Sequence, residues 1–523
     1  MSDLSKSRRQ FLQTLSIGGG AALLASCTHQ AVAVDNGEES MTPPEPKGPP
    51  ALPDGLDRAH FHVHNNKPLA LETRRSSLSS AAITPAARLF VRNNLPMPDP
   101  SILSNRDAWM LTVKGTSEEG SLSLAAIKNL GRETTTAVLQ CSGNGRAFFD
   151  HSPSGSQWSV GAAGCVNWTG VRLSQVAELF GGNNPGMNYV TATGGEVLPP
   201  GVDPKSTVVE RSIPIEKGLD DVLLAWEMNG QPIPITHGGP LRMVVPGYFG
   251  CNQIKYVKSI AFTEAQSEAK IQKKGYRFRP LGEGGDPAQP SMWRMPVKSW
   301  VNGPGADDTP VLNGTIHFHG VAFSGERGIK SVEVSMDRGQ TWTPAELYGP
   351  DMGPNAWRTF RFATDLAAGD HHIVSRATDN KGDVQPPRRD ENERGYGYNG
   401  WTEAGLDVRV VATLNDYAGV ATPVKPKRPA TTADPKEPAK LSEGGTRGKT
   451  AFLESQPSCG TCHALADAGA TGAVGPSLDD LRPSEEMVIN AATNGVGVMP
   501  SFKDTMSSEQ IADLAKYVFE ASR

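Results

Sequence analysis

Between residues 85 and 285, short apolar runs alternate with stretches of helical periodicity. Apolar or β-branched runs bounded by turn residues indicate strands, and apolar positions recurring every three or four residues indicate helices. Ser121 or Ser123 is the expected N-cap of the first helix, and Gly181-Gly182 ends the second. The pattern predicts a mixed α+β domain with strands over 108–114, 136–140, 221–227 and 242–246, and helices over 124–130 and 173–180.

From residue 296 to 412 the pattern changes to alternating apolar and polar positions, with few helical stretches. Turn residues separate the alternating runs, as in Asp337-Arg338-Gly339 and Asp379-Asn380-Lys381-Gly382. Alternation places one face of each strand against a core. This part of the chain is therefore predicted to be an immunoglobulin-like antiparallel β-sandwich, with strands that include 315–319, 329–335, 357–362 and 372–377.

The last part of the chain is predicted to be a separate all-α domain on a linker. Residues 413–442 combine several prolines with Lys, Ala and Thr, a composition that gives a linker with a reach of roughly 30 Å. Residues 443–523 follow, and Ile511 to Phe519 has the pattern of an amphipathic terminal helix.

Cys459-Gly-Thr-Cys462-His463 matches the C-x-x-C-H pattern of covalent haem c attachment. The two thiols would bond the haem vinyl groups, and the imidazole would be the proximal iron ligand. Met499 lies 36 residues after His463, before Pro in a Gly-rich loop, and is the expected second iron ligand; a core methionine is the alternative. Residues 443–523 resemble a small class I cytochrome c. They contain six basic and eleven acidic residues, so we expect this domain to dock on a basic surface.

The first 27 residues have the features of an export signal. Ser7-Arg8-Arg9-Gln10-Phe11-Leu12 carries a twin arginine before an apolar run, which is shorter than the ~20 residues needed to span a bilayer. This predicts export to the periplasm by the twin-arginine translocase, a route for proteins that receive a cofactor before export. Leu24-Ala25-Ser26-Cys27 resembles a lipobox, so Cys27 is expected to carry a lipid anchor; an ordinary signal peptidase site is the alternative. Residues 28–58 would then be a flexible tether.

Composition narrows the classes of protein that remain. A chain of 523 residues is too long for a single core and predicts several domains. The net charge of −5 lacks the basic excess typical of nucleic-acid binding. Six cysteines are too few for a disulfide scaffold. We interpret Cys165 and Cys251 as buried thiols, with a disulfide as the alternative.

Three histidines alternate near the start of the predicted fold, in His60-Phe-His62-Val-His64. On a strand, all three would lie on one face. They could bind a metal, but the sequence nearby offers no further ligand. A packed or exposed strand is therefore the favoured interpretation.

Cys141 is the residue on which the function of the first domain depends. It ends an apolar strand before a Gly-rich turn that leads to Arg146, which taken alone would indicate only a buried thiol. The motifs around it change this interpretation. In chain order they are Leu89-Phe-Val-Arg92-Asn-Asn94, Trp168-Thr-Gly-Val, Leu224-Ala-Trp-Glu-Met-Asn-Gly-Gln-Pro, His237-Gly-Gly-Pro-Leu-Arg242, Val245-Pro-Gly-Tyr-Phe-Gly, Lys255, Tyr276, Glu393-Arg394-Gly-Tyr and Trp401.

This ordered set, spanning about residues 65–412, resembles the sulfite oxidase family of molybdenum enzymes. The resemblance implies a molybdenum–molybdopterin domain over 59–288 and a dimerisation domain over 289–412. It also implies that the Cys141 thiolate ligates molybdenum beside the dithiolene of one pyranopterin. The other implied site residues are Arg92, Arg146, Arg394 and Tyr276 around the substrate, and Asn94, His237, Arg242 and Lys255 at the pterin and its phosphate.

The resemblance further implies an activity. Such an enzyme would oxidise sulfite to sulfate and pass electrons one at a time to its haem c, and from there to an external cytochrome c or terminal oxidase. A homodimer is expected. Three guanidinium groups suit a small oxyanion because charge-assisted hydrogen bonds to Arg are strong and often bidentate.

The chain departs from the family pattern in two places, and other functions remain open. Many relatives carry Arg-x-His where this chain has Arg92-Asn93-Asn94, so Asn94 cannot supply a charge. Animal relatives carry an N-terminal cytochrome b5, whereas the haem motif here is c-type and C-terminal. The alternatives are a sulfane dehydrogenase acting on carrier-bound sulfur, a sulfoxide reductase of the same fold, and an electron carrier that binds no molybdenum.

Overall fold

The computed structural model describes residues 51–78, 80–413, 415–416, 441–496 and 499–523. The predicted signal segment with its Cys27 lipobox and most of the linker lie outside these residues. Among the described residues, no helix combines the length and apolar character that crossing a membrane requires.

The folded region begins earlier than the sequence predicted. Leu52 and Leu56 are buried in a small core with Phe61, Leu71 and Val91. The Asp54 carboxylate accepts hydrogen bonds from the backbone N–H and the hydroxyl of Thr236. The end of the predicted tether at residue 58 is therefore wrong, because apolar side chains between its polar residues pack against the first strands.

The first domain is built from three sheets and short helices. Two of the sheets are antiparallel throughout, and the third contains one parallel pair, between Met110–Lys114 and Ser259–Thr263. The predicted α+β class is confirmed. In pairing order, the first sheet contains Phe61–Asn65, Ala70–Thr73 and Val91–Arg92, and the second contains Gln231–Pro232, Leu223–Met228, Ala163–Arg172 and Glu133–Gln140, with Arg242–Val244 also paired to Leu223–Met228. The third sheet contains Gly120–Ser123, Met110–Lys114, Ser259–Thr263, Tyr189–Thr193 and Glu210–Pro214. The helices are Leu124–Lys128, Leu173–Leu179, Pro204–Thr207 and Ile215–Asp220.

Local sequence explains several of these boundaries. Ser123 caps the first helix, because its hydroxyl accepts the N–H of Ala126. The second helix ends before Gly181 and Gly182, both of which have positive φ.

The three alternating histidines do not converge on a common site. His60 lies before the strand and bonds Ser77, His62 lies by Asp307, and His64 bonds Glu72.

The second domain is a β-structure around one apolar core. Its eight strands form a continuous hydrogen-bonded order in the described chain, and the core draws on most of them. Arg338 and Gly339 make the predicted turn with positive φ. In pairing order the strands are Val297–Gly303, Gly314–Ser324, Arg358–Leu366, Thr343–Tyr348, Ile329–Ser335, Gly369–Asp379, Leu406–Val411 and Val311–Leu312.

The C-terminal domain is helical, as predicted. Ser507 and Gln510 form a capping box at the start of the last helix, whose apolar face is buried. This helix lies against the first one at Gly448, where a Cβ atom would approach the Asp513 carbonyl oxygen to 1.9 Å. The helices are Glu443–Glu454, Cys459–Cys462, Leu478–Leu481, Glu485–Asn494 and Ser508–Ala521, and the short strands Ala464–Leu465 and Ala470–Thr471 pair.

Candidate active site and haem site

A pocket in the first domain brings together most of the predicted site residues. Segments that are far apart in the chain meet there, from strand ends and from the loops that follow them. We call it the Cys141 pocket. Its lining contains seven predicted residues, Arg92, Asn94, Cys141, His237, Arg242, Lys255 and Tyr276.

Backbone geometry presents the thiol of Cys141. The strand Glu133–Gln140 pairs with Ala163–Arg172 up to Gln140, and the Cys141 N–H then bonds the Ala162 carbonyl at 2.9 Å. The turn that follows needs its glycines. A Cβ atom at Gly143 would lie 2.7 Å from Nη2 of Arg146, so glycine at this position leaves room for the Arg146 guanidinium to fold back over the turn.

The three predicted arginines differ in position. Arg92 lines the pocket and donates to the Asn93 carbonyl. Arg146 and Arg394 do not line it. Arg146 is buried, and it donates from Nε to the Arg394 carbonyl at 3.0 Å and from Nη1 to the Ser156 carbonyl at 2.8 Å. Burial lowers the pKa of Arg146; Tyr396 and Cys141 oppose this shift, and the positive charges of Arg394 and Arg92 add to it. The cations therefore form one group next to the thiol.

A tyrosine pair separates the pocket from the outer two arginines. The Tyr276 ring stacks on Tyr396 with centroids 5.3 Å apart, and the guanidinium groups of Arg146 and Arg394 lie 5.3 and 5.8 Å from the Tyr396 ring. The hydroxyl of Tyr276 donates a long hydrogen bond, 3.4 Å, to the side-chain oxygen of Asn94. The residue that replaces the usual histidine thus contacts the pocket tyrosine.

The other end of the pocket is positively charged and incompletely hydrogen-bonded. Lys255 donates to the Asn93 side chain at 2.8 Å and to the Thr236 carbonyl at 2.5 Å, and Arg242 donates to the His237 carbonyl at 2.6 Å. Burial first, and then Lys255 and Arg242, lower the pKa of His237 to about 3, so this imidazole is neutral. Within the described chain, His237 Nε2 and Arg242 Nε are buried without a hydrogen-bond partner. Buried polar atoms of this kind need a partner, and a polar pterin with its phosphate would supply one.

Two ionisable residues of this pocket, Glu196 and Cys251, were not predicted to belong to it. Glu196 lines it, and burial raises the pKa of the Glu196 carboxyl to about 7, although Lys255, Lys258 and Arg242 oppose the shift. Cys251 is a second thiol in the lining and is free, as is Cys165, which is buried in the core. No local pattern marks Glu196 or Cys251, because only the fold brings them to Cys141.

The C-x-x-C-H motif forms a second site in the C-terminal domain. Cys459 and Cys462 lie one helical turn apart and are free thiols. His463 bonds the Pro476 carbonyl through Nδ1 at 2.9 Å, which leaves Nε2 as the ring nitrogen available to iron. A Cβ atom at Gly475 would lie 2.4 Å from this ring, so the imidazole is packed closely on that backbone. These residues fit covalent attachment of haem c.

Substitution of Met499 tests whether this residue is the second iron ligand. Its side chain packs against the apolar core of the C-terminal domain. Replacing Met499 with His should lower the midpoint potential of the haem, because the thioether ligand raises it, while Cys459 and Cys462 keep the haem attached. Redox titration of the haem absorbance band measures the change. Met506→Leu, which alters another methionine against the same core, is the control; equal potentials in both variants would rule out Met499 as a ligand.

Comparisons with protein families agree with this division of the chain. The model described as oxidoreductase molybdopterin binding domain matches residues 96–271, and the Mo-co oxidoreductase dimerisation domain matches residues 289–408. Residues 445–518 match the model of cytochrome C oxidase, cbb3-type, subunit III. A molybdopterin domain and a cytochrome c domain imply molybdenum–molybdopterin and haem c as the cofactors.

Individual relatives match over most of the chain. The chain is 32% identical to mitochondrial sulfite oxidase of Rattus norvegicus over 71% of this chain and 70% of the relative. It is 29% identical to sulfite oxidase of Arabidopsis thaliana, over 62% of this chain and 87% of the relative. The crystal structure of the sulfane dehydrogenase SoxCD from Paracoccus pantotrophus matches with a TM-score of 0.58 and 25% identity, over 69% of this chain and 94% of that chain. The chain therefore belongs to the sulfite oxidase family of molybdopterin-dependent oxidoreductases, with a cytochrome c domain at its C-terminus.

Proposed function

We propose that this protein is a sulfite dehydrogenase that oxidises sulfite to sulfate and passes the electrons to its own haem c. The observation that carries the proposal is the group of cations next to Cys141, closed on one side by Tyr276. Each turnover consumes one sulfite and one water, and it yields one sulfate, two protons and two electrons. Two successive single-electron transfers to the haem, each followed by transfer of that electron to the external acceptor, balance the reaction.

The residues of the pocket have different roles in this reaction. When bound, molybdenum–molybdopterin supplies two-electron oxygen-atom transfer. Cys141 would hold the metal, while His237, Arg242 and Lys255 would hold the pterin and its phosphate. Arg92 faces the pocket and binds the substrate anion, and the more remote charges of Arg146 and Arg394 lower the energy of that anion in the same place.

Tyr276 acts as a hydrogen-bond donor. Burial, and then Tyr396, raise the pKa of the Tyr276 hydroxyl, although the charge of Arg92 opposes the shift. The phenol therefore stays protonated at neutral pH. It donates to Asn94 in the structure and is placed to donate to a substrate oxygen instead.

The proposal extends to the cellular setting. The twin arginine and the lipobox at Cys27 support a periplasmic enzyme exported by the twin-arginine translocase and attached to the membrane by lipid. The protein would form a homodimer through its dimerisation domain. An external cytochrome c or terminal oxidase would accept its electrons.

Anaerobic mixing of the holoprotein with sulfite tests the reaction. Micromolar sulfite should reduce the haem band, an added one-electron acceptor should then take up two electrons per sulfate formed, and metal analysis should give one molybdenum per haem. The proposal is wrong if dithionite reduces the haem and sulfite does not. Absence of molybdenum from the assembled protein would instead support a simple electron carrier.

A sulfane dehydrogenase is the second candidate, and the structural similarity to SoxCD favours it. The two candidates differ in the substrate that reduces the haem. Reduction by thiosulfate-derived sulfane on a carrier protein, with no response to free sulfite, would select this second function.

A further inference from the structure

The C-terminal domain turns its haem-binding face to the catalytic domain. Val474, next to the Gly475 that packs on His463, is buried in the main core of the catalytic domain. Cys462, one of the two haem-attaching thiols, packs against the same core. The contact therefore involves the surface at which the haem would be held.

One lysine of the catalytic domain reaches the other side of the haem site. Lys270 Nζ donates a hydrogen bond to the backbone carbonyl of Met499. Lys270 is half-buried in this contact. The residue thus links the catalytic domain to the backbone of the expected iron ligand.

Lys270 belongs to a short segment that ends at the pocket. The Lys270–Tyr276 segment contains one π-helical turn, closed by a hydrogen bond from the Tyr276 N–H to the Ile271 carbonyl at 3.1 Å. The buried Arg211 holds the turn in place by donating to the Ile271 carbonyl at 3.1 Å and lying 5.4 Å from the Tyr276 ring. Five residues therefore separate Lys270, which contacts Met499, from the pocket tyrosine, along a segment fixed at both ends.

We propose that the Lys270–Tyr276 segment is the docking site for this chain's own cytochrome domain, and that Lys270 is a positioning residue that seats the Met499 side of the haem beside the Cys141 pocket. This deepens the proposed function and rests on it. Residues 443–523 carry more acidic than basic side chains, so a basic docking residue suits them. The linker predicted from the sequence raises the effective concentration of the cytochrome domain at this site. Lys270 acts on electron transfer through the placement of the haem and does not touch the substrate.

The test compares two lysines of the same turn in the full-length holoprotein. Lys270→Gln should slow haem reduction by sulfite at least about tenfold in stopped-flow mixing, as expected when a charged hydrogen bond is lost from a docked state. Sulfate formed in the first turnover, measured by rapid quench, should stay at one per catalytic site with an unchanged rate. Lys273→Gln removes an exposed lysine that pairs with Glu268 and should alter neither measurement. Lys270→Arg keeps the charge and should restore most of the haem reduction rate.

A second measurement does not depend on activity. Hydrogen exchange of the full-length protein should show faster exchange over residues 499–506 and 271–276 in Lys270→Gln than in Lys273→Gln. Unchanged exchange together with unchanged haem reduction would overturn the docking role. A wild-type protein that forms no sulfate would refute the proposed function instead, and the exchange data would still decide whether Lys270 seats the domain.

Discussion

Replacing Cys141 with Ser should abolish sulfite-dependent reduction of the haem while leaving the haem itself in place. Cys141 is the one predicted residue whose side chain would bond the metal directly, and a hydroxyl is a poor substitute for a soft thiolate. Loss of residues that merely support metal ligands typically costs about 10- to 100-fold, so we expect a loss of more than about 100-fold here. Haem content should not change, because Cys459 and Cys462 lie in a different domain.

Cys251→Ser is the matched comparison for this experiment. Both thiols are free and both line the Cys141 pocket, but Cys251 Sγ donates a weak hydrogen bond to the Met292 carbonyl at 3.6 Å and follows no strand end like that of Cys141. The Cys251 variant should keep its molybdenum, measured by metal analysis. If it loses the metal and the Cys141 variant retains both metal and activity, the assignment of the ligand must be reversed.

The sequence predicted those parts of the molecule that local patterns determine. The strand before Cys141 is a run of β-branched and apolar residues ended by a Gly-rich turn, and a capped apolar stripe marks the last helix. Motifs of fixed spacing, such as Cys459-Gly-Thr-Cys462-His463, indicate a specific chemistry, here haem attachment, from the sequence alone. In these places neighbouring residues contain nearly all the information.

Roles that depend on contacts between distant parts of the chain could not be predicted from the sequence. Arg211 is fully buried behind Tyr276, yet in the sequence it stands among ordinary strand residues. The sequence predicts Arg146 and Arg394 as site residues, but not that both lie beside the Tyr396 ring and are joined to each other by a hydrogen bond over 248 positions of the chain. Lys270 has no motif at all. Burial and long-range pairing give these cations their roles, and neither can be inferred from spacing.

Arg92 and the two outer arginines should therefore differ in their effect on substrate binding. Of the three arginines predicted around the substrate, Arg92 is the one that lines the Cys141 pocket, so its guanidinium is placed to bond the anion directly. Hydrogen bonds to charged groups contribute about 1.5–3 kcal/mol, so Arg92→Gln should lower kcat/KM for sulfite by about 10- to 150-fold. Most of this loss should appear as a higher KM, because the charge attracts the anion before it reacts as well as during reaction.

Steady-state kinetics of Arg92→Gln and Arg88→Gln separate this direct role from a general loss of positive charge. Arg88 lies one short turn upstream, in Ala86–Arg88, and is absent from the described lining of the pocket. Both variants lose one unit of charge, so a long-range effect on the anion would slow them alike and would weaken with salt. A direct contact predicts a large loss in Arg92→Gln alone that persists at high ionic strength. Equal and salt-sensitive losses would mean that the pocket attracts its substrate only by its overall field, and that no single guanidinium holds it.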